Sequence, residues 1–197
     1  MSVLPHTGVV NSHGADTLPV LLLPGWQNSG PGHWQTLWEA YFGDHRVQQD
    51  DWLTPKRGDW MAQLEDAVLA REGRLLLAAH SLGCHLVAAW AAHSQHGARV
   101  AGALLVAPPD VQQDDWPSSL PSWRTPVLQA LPFPALVLSS TDDPYDRAGR
   151  AAGLAQAWGA RHQSLGTRGH LNADSDLGLW PQGRALLRSL AGADARV

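Results

Sequence analysis

The chain has 197 residues, of which 44% are hydrophobic and 16% charged, and its formal net charge is −4. This length suits one domain with a full core, and the composition excludes an intrinsically disordered protein. The charge balance provides no basic surface, so we expect neither nucleic acid nor a membrane as a partner. The only cysteine, Cys84, excludes an internal disulfide and favours a reducing compartment.

The N-terminal segment lacks the features of a targeting sequence. Residues 1–16 show no charged region followed by an apolar one, and no apolar run in the chain is long enough to span a bilayer. We therefore predict a cytoplasmic protein. Its expected organisation is a poorly ordered tail at 1–16 and one domain at 17–197.

After the tail, short apolar runs alternate with segments of helical periodicity. This alternation predicts an α/β protein, in which helices cover both faces of a mostly parallel sheet. The predicted strands are 19–23, 74–78, 100–107, 134–140 and 161–165. The predicted helices are 34–41, a second one capped by Asp59 and reaching 68, 82–90, 147–158 and a last one at 181–190.

One segment, 112–131, has no clear periodicity and is rich in Pro, Ser and Trp. It is long enough to be a lid over the carboxyl edge of the sheet. A plain connection between two strands is the alternative.

The strongest chemical motif is the turn Ala79-His80-Ser81-Leu82-Gly83, which joins an apolar strand to an amphipathic helix. This is the setting of a nucleophile elbow, G-x-S-x-G, in which a sharp turn exposes a serine hydroxyl at the sheet edge. Small flanking residues are needed because strand and helix nearly touch there, and Ala79 replaces the first glycine. The alternative is an ordinary strand–helix turn in which Ser81 only caps the helix.

Two later loops supply an acid and a base. Asp142 and Asp143 directly follow a predicted strand, and His170 follows the last predicted strand. The carboxyl ends of parallel strands meet at one edge of the sheet, where the sites of open α/β proteins lie. In this fold the triad follows the chain order Ser, Asp, His. We therefore predict Ser81 as nucleophile, Asp143 as orienting acid and His170 as base, with Asp142 left open as the alternative acid or as a turn cap.

The oxyanion hole of such a site needs two backbone N–H groups. Leu82, directly after the nucleophile, should provide one. The loop after the first strand should provide the other, from Trp26 or, as the alternative, from Gln27. Gly25 in this loop is expected to adopt a backbone angle that a branched residue cannot reach.

Several other side chains have expected roles. The candidates for lining a substrate pocket are Gln27, His33, Trp116 and Trp123. His80 should point away from the site into packing, and His85 should be structural. No His and carboxylate cluster has metal-ligand spacing, so we expect neither a metal nor an organic cofactor.

Four segments carry a family resemblance: Gly-Trp-Gln-Asn-Ser-Gly-Pro-Gly-His-Trp-Gln at 25–35, His-Ser-Leu-Gly at 80–83, Ser-Thr-Asp-Asp-Pro at 140–144 and Gly-His at 169–170. With them, the chain resembles a family of small single-domain serine hydrolases related to the retinoblastoma-binding hydrolase of animals. The resemblance implies an α/β-hydrolase fold without a large cap domain, a triad of Ser81, Asp143 and His170, and esterase-like activity. The retinoblastoma-binding motif Leu-x-Cys-x-Glu is not intact, because Leu86 stands where the Glu is needed, so that partner is not expected.

Together these observations predict a serine hydrolase that cleaves small acyl esters through an acyl-enzyme intermediate. The small chain leaves room for only a shallow pocket, so short acyl groups should be preferred. Two alternatives remain. One is a binding or regulatory protein that keeps the fold without significant turnover. The other is an amidase, thioesterase or peptidase that uses the same triad.

Overall fold

The structure is a computed structural model and describes residues 18–192, so the predicted tail at 1–16 lies outside the described residues. In the described range the strands are β1 (Val20–Leu23), β2 (His45–Arg46), β3 (Leu75–His80), β4 (Val100–Val106), β5 (Ala135–Ser139) and β6 (Arg161–Ser164). All neighbouring pairs are parallel, and the order across the sheet is β2-β1-β3-β4-β5-β6. Every residue of β1, β3, β4 and β5 is buried, which explains why these strands are continuous apolar runs in the sequence.

Helices cover both faces of this sheet. They are α1 (Trp34–Phe42), α2 (Arg57–Leu69), α3 (Leu82–Ala91), α4 (Ala151–Ala157) and α5 (Pro181–Ser189). The core on one face joins α2, α3 and α4 to Leu21, Leu75 and Leu77, and the core on the other joins α1 and α5 to Leu22 and Leu76. The α/β prediction, with helices on both faces and no large cap, is confirmed. None of the helices within 18–192 has the length and apolar character needed to cross a bilayer.

Two local predictions are wrong, and one strand was not predicted. Helix α2 begins at Arg57 with Lys56 as its N-cap, so Asp59 lies in the first turn and does not cap the helix. Helix α4 begins at Ala151, four residues later than predicted, because the Asp146 carboxylate accepts the N–H groups of Arg150 and Ala151 and holds the preceding residues in a turn. Strand β2 was missed because two residues are too few to show a periodicity.

The turn from β3 into α3 brings two backbones into contact. Ser81 has φ 54° and ψ −123°, a strained conformation for a residue with a side chain. Gly83, in the first turn of α3, lies against the end of β1. A Cβ added at Gly83 would collide with the carbonyl oxygen of Leu23 and lie 2.9 Å from that of Pro24. The second glycine of the elbow is therefore required by space.

The irregular segment 112–131 is anchored by Trp123. The buried Trp123 indole donates to the carbonyl of Pro55 at 2.9 Å and holds the segment against the body of the domain. The Trp116 indole donates to the carbonyl of Leu120 at 3.1 Å, within the segment itself. Trp116, Pro117 and Leu120 line the cavity described below.

The close contact at Gly83 leads to a stability prediction. Gly83→Ala should lower the free energy of unfolding by about 2 kcal/mol or more, because the methyl group meets backbone that cannot rotate away. Gly58→Ala in α2 is the matched control, since a Cβ there meets nothing within 4 Å. It should be neutral or slightly stabilising, because alanine favours a helix more than glycine does. Urea unfolding followed by tryptophan fluorescence measures both, and equal midpoints would contradict this account of Gly83.

Candidate active site

The structure brings together the three residues predicted to form the triad. Nε2 of His170 lies 2.9 Å from Oγ of Ser81. Nδ1 of His170 lies 2.9 Å and 2.8 Å from the two carboxylate oxygens of Asp143. Since a carboxylate only accepts, Nδ1 carries the proton, and Nε2 is left to accept from the serine hydroxyl. The side chains thus form a continuous hydrogen-bonded chain from acid to hydroxyl at the carboxyl edge of the sheet.

Asp142 has a different position from its neighbour Asp143. Its carboxylate is exposed and accepts from the hydroxyl of Ser140 at 2.6 Å and from the N–H groups of Arg168 and Gly169, each at 2.8 Å. The Ser140 hydrogen bond, followed by the Gly169 N–H, lowers the pKa of Asp142. Asp142 therefore ties the loop after β5 to the loop that carries His170, while Asp143 makes the contact with the His170 ring.

His80 does not simply point away from the site, as the sequence analysis expected. Its Nε2 donates to the backbone carbonyl of His170 at 2.8 Å, and the two rings lie 4.8 Å apart. Burial, then the neighbouring His33 and His170, lower the pKa of His80 well below its ordinary value, so its ring is neutral. The sequence could not reveal this contact, because the two residues are 90 positions apart.

Tyr145 is a site residue that the sequence analysis missed. Its ring centroid lies 4.4 Å from that of His170, and its backbone N–H donates to Asp143 at 2.9 Å. An aromatic ring this close to an imidazole can stabilise the imidazolium form through its negative face. No motif marked this residue, and its place two positions after Asp143 was the only available signal.

The loop after β1 leaves one of its amides free for an oxyanion. The Gln27 N–H donates to the carbonyl of Trp52 at 3.0 Å, and the Asn28 N–H donates to that of Gly25 at 3.1 Å. Within residues 18–192, neither Trp26 N–H nor Leu82 N–H has an acceptor. Of the two amides predicted as candidates in this loop, only the N–H of Trp26 is free to donate to a ligand, because the N–H of Gln27 already donates to Trp52.

Gly25 is needed for a reason other than the one expected. Its φ does not lie in the left-handed region, so no special backbone angle is involved. A Cβ at Gly25 would instead lie 2.7 Å from Cβ of Ser81 and 3.2 Å from Oγ of Ser81. The glycine allows the loop to approach the serine closely.

A cavity of about 270 Å³ lies in front of Ser81. Its apolar lining residues, called the apolar wall below, include Leu82, Pro109, Trp116, Pro117 and Leu120. Its polar lining residues, called the polar wall, include Gln27, Asn28, His33 and Asn172. Among the described residues that line the cavity, none is Lys, Arg, Asp or Glu. Trp123, a pocket candidate in the sequence analysis, is instead fully buried in the core, with its ring 5.5 Å from that of Trp60.

His33 is both a helix cap and a cavity residue. Its Nδ1 accepts the N–H of Gln35 at 3.1 Å at the start of α1. The side chain is 4% exposed, and burial, followed by the positive charge of Arg46, lowers its pKa to about 3. The ring is therefore neutral, with its proton on Nε2, and Nε2 has no hydrogen-bond partner among residues 18–192.

Two other reactive side chains lie away from the chemistry. Cys84 is buried on α3, and burial raises the pKa of its thiol well above the ordinary value, which keeps it protonated. His85 is also buried, and its Nε2 donates to the carbonyl of Pro109 at 2.9 Å. Both are packed inside the fold, as the sequence analysis expected for His85.

Known proteins provide an independent comparison. A family model described as "Serine hydrolase" matches residues 20–189. A YdeN-like hydrolase from Pectobacterium atrosepticum has 27% identity and a TM-score of 0.76, over 88% of this chain and 90% of that chain. The ydeN gene product of Bacillus subtilis has 21% identity and a TM-score of 0.67, over 90% and 100% of the two chains. An esterase from a Rhodococcus species has 16% identity and a TM-score of 0.61, over 88% and 91%.

No curated protein sequence matches the chain. The family model nevertheless spans most of it, and the solved structures share its α/β-hydrolase architecture. The protein therefore belongs to the serine hydrolase family, as the resemblance in its sequence implied.

Proposed function

We propose that this protein is a cytoplasmic serine esterase that cleaves small acyl esters, with Ser81 as nucleophile, His170 as general base and Asp143 as orienting acid. The hydrogen-bonded chain from Asp143 through His170 to Ser81 carries this proposal. The Rhodococcus esterase, which has the same fold, supports an ester as the substrate class. The lone, buried thiol of Cys84 fits a reducing cytoplasm.

The reaction begins when Oγ of Ser81 attacks the ester carbonyl carbon and its proton passes to Nε2 of His170. The carbonyl oxygen becomes an oxyanion, which the N–H groups of Trp26 and Leu82 stabilise. His170 then gives the proton to the departing alcohol oxygen, and the acyl group remains on Ser81. Water, activated by His170, releases the acid and restores the serine hydroxyl.

Neighbouring charges favour His170 as the proton carrier. Asp143 stabilises the imidazolium that forms in each step. His33 and His80 would oppose it if they were protonated, but burial lowers the pKa of both, so they stay neutral. The site thus holds one anion beside the ring that must become a cation.

An aligned hydroxyl is of no use to a protein that only binds ligands, so the hydrogen-bond chain argues against a non-catalytic role. An amidase, a thioesterase or a peptidase would use the same residues. Substrate assays that compare matched esters, amides and thioesters distinguish these classes.

The decisive experiment is labelling with a fluorophosphonate, which reacts with activated serines. The wild-type protein should be labelled at Ser81, and Ser81→Ala should not be labelled. The variant should also lose at least about a hundredfold in kcat/KM for p-nitrophenyl acetate, because removal of the nucleophile leaves only binding and oxyanion contributions. Cys84→Ala is the control and should keep the label. Labelling of Ser81→Ala at another residue would contradict the proposed nucleophile.

The two adjacent aspartates should differ in their effects. Asp143→Asn should reduce kcat by about ten-thousandfold, as in a serine protease triad, because the amide favours the wrong tautomer of the histidine. Asp142→Asn should cost much less, since that carboxylate acts only through the backbone of the His170 loop. Steady-state kinetics together with melting temperatures separate loss of catalysis from loss of folding. A larger kinetic loss in Asp142→Asn than in Asp143→Asn would mean that Asp142, and not Asp143, is the orienting acid.

The size of the cavity predicts a preference for short acyl groups. Each methylene that fits against the apolar wall adds about 0.8 kcal/mol of transfer free energy, or about fourfold in affinity. A cavity of about 270 Å³ is filled after a few methylenes, and longer chains must then extend into water. Values of kcat/KM for p-nitrophenyl esters from acetate to palmitate, under conditions where each ester is dissolved, should peak at a short chain. A maximum at palmitate would mean that segment 112–131 opens a groove for longer chains.

A further inference from the structure

Asn28 and Asn172 on the polar wall have already used their acceptor atoms, whereas the exposed side chain of Gln27 makes no hydrogen bond within residues 18–192. Oδ1 of Asn28 accepts from the N–H of Ser29 at 2.7 Å and from Nη1 of Arg46 at 2.6 Å. Oδ1 of Asn172 accepts from the N–H of Asp174 at 3.0 Å. Every partner is a group that can only donate, so the orientation of both side-chain amides is determined by chemistry.

What remains of Asn28, His33 and Asn172 for a ligand is a set of donors. Nδ1 of His33 accepts from Gln35, so Nε2 carries the proton. The N–H₂ groups of Asn28 and Asn172 make no hydrogen bond within residues 18–192, and Nε2 of His33 is buried there without a partner. A buried donor without a partner is costly, so a ligand oxygen that accepts from His33 would be favoured over a methylene of the same size.

The position of this wall identifies the part of the substrate that it faces. His170 must protonate the departing alcohol oxygen, so the alcohol portion lies beside its ring. Asn172 follows His170 by two residues, and the ring of His33 lies 4.6 Å from that of His80, which in turn contacts His170. The acyl portion is left with the apolar wall, which includes Leu82 and Trp116.

The charge of the lining residues narrows the kind of acceptor that the cavity can bind. Among the described residues, none that lines the cavity is Lys or Arg, and His33 is neutral because burial lowers its pKa to about 3. The guanidinium of Arg46, which contacts Asn28, is already paired with Glu39 at 2.8 Å, so a carboxylate bound here would lose its water and gain little counter-charge. An ether, ketone or second ester oxygen needs only an N–H donor.

We infer that the alcohol portion of the substrate carries an uncharged hydrogen-bond acceptor, and that the Nε2 hydrogen of His33 selects for it. The inference rests on the proposed esterase function. It makes His33 a specificity-determining residue and makes the natural substrate an ester of a short apolar acid with an oxygen-bearing alcohol.

A matched pair of esters tests this directly. n-Butyl butyrate and 2-methoxyethyl butyrate differ only by a methylene replaced with an ether oxygen in the alcohol. One added hydrogen bond is worth about 0.5–1.5 kcal/mol. The ratio of kcat/KM values from pH-stat titration, divided by the ratio of alkaline hydrolysis rates, should therefore favour the ether by about threefold to tenfold.

The variant His33→Asn tests whether the preference for the ether depends on the Nε2 hydrogen of His33. Asparagine can still accept the N–H of Gln35 as a helix cap, but its side chain is shorter and places no N–H at the position of Nε2. The ratio should fall towards one in this variant. His45→Asn, at an exposed histidine of β2, is the control and should keep the wild-type ratio. Melting temperatures check that each variant folds. If His33→Asn does not fold, the ratio for the wild-type protein still tests the inference.

Other outcomes would overturn the inference. A wild-type ratio of one or less would do so while leaving the esterase function intact, since both butyrates would still be cleaved. A second pair, butyl 3-methoxypropanoate and butyl pentanoate, moves the ether into the acyl group, and a preference for the ether there would mean that the two walls are assigned the wrong way round. If no ester is cleaved and fluorophosphonate does not label Ser81, it is the proposed function that fails.

Discussion

Backbone-to-backbone contact between the end of β1 and the first turn of α3 determines where every other part of the site can lie. Gly83 lies against the carbonyls of Leu23 and Pro24, and Gly25 lies against Ser81. A side chain at either glycine would push the backbones apart by about an ångström, because a normal contact to carbon needs about 3.5–4 Å. The same contact places Trp26 and Leu82 in the lining of the cavity that Ser81 faces. The strained backbone of Ser81 persists because buried strands and α3 surround it.

His170 is the residue that most needs external support, since it lies on a loop. Its ring is held by Asp143, its carbonyl by His80, and the preceding backbone by Asp142 through two N–H groups. Tyr145 covers the ring from another side. Because these contacts come from β3 and from the loop after β5, the position of His170 depends on the strand register from β3 to β5. A loop supported in this way loses little conformational entropy when substrate binds.

The sequence predicted the features that depend on local pattern. Buried strands appear as apolar runs, and the elbow appears as small residues around Ser81, so β3, α3 and their turn were placed to within two residues. Contacts between residues far apart in the chain produce no local pattern in the sequence. Trp116 and Trp123 are equivalent in the sequence of one irregular segment, yet only Trp116 lines the cavity, because Trp123 packs on Trp60. The reason for Gly25 was likewise missed, since a close approach and a special backbone angle both select glycine.

The fold keeps His33 and His80 neutral by burying them, and this neutrality matters for the proposed reaction. His80 contacts the ring of His170, which becomes positive in the proposed reaction, and His33 contacts His80. In water, both histidines could share the proton. Burial prevents this, because removing an imidazolium from water costs more than removing an imidazole. Asp143 is buried as well, so water screens its charge less, and the charge acts on His170 more strongly than it would in water. A buried neutral histidine also keeps an N–H that can bind oxygen without adding charge. Burial on the histidine side of Ser81 can therefore serve catalysis through His80 and His170 and, through His33, recognition of the departing alcohol.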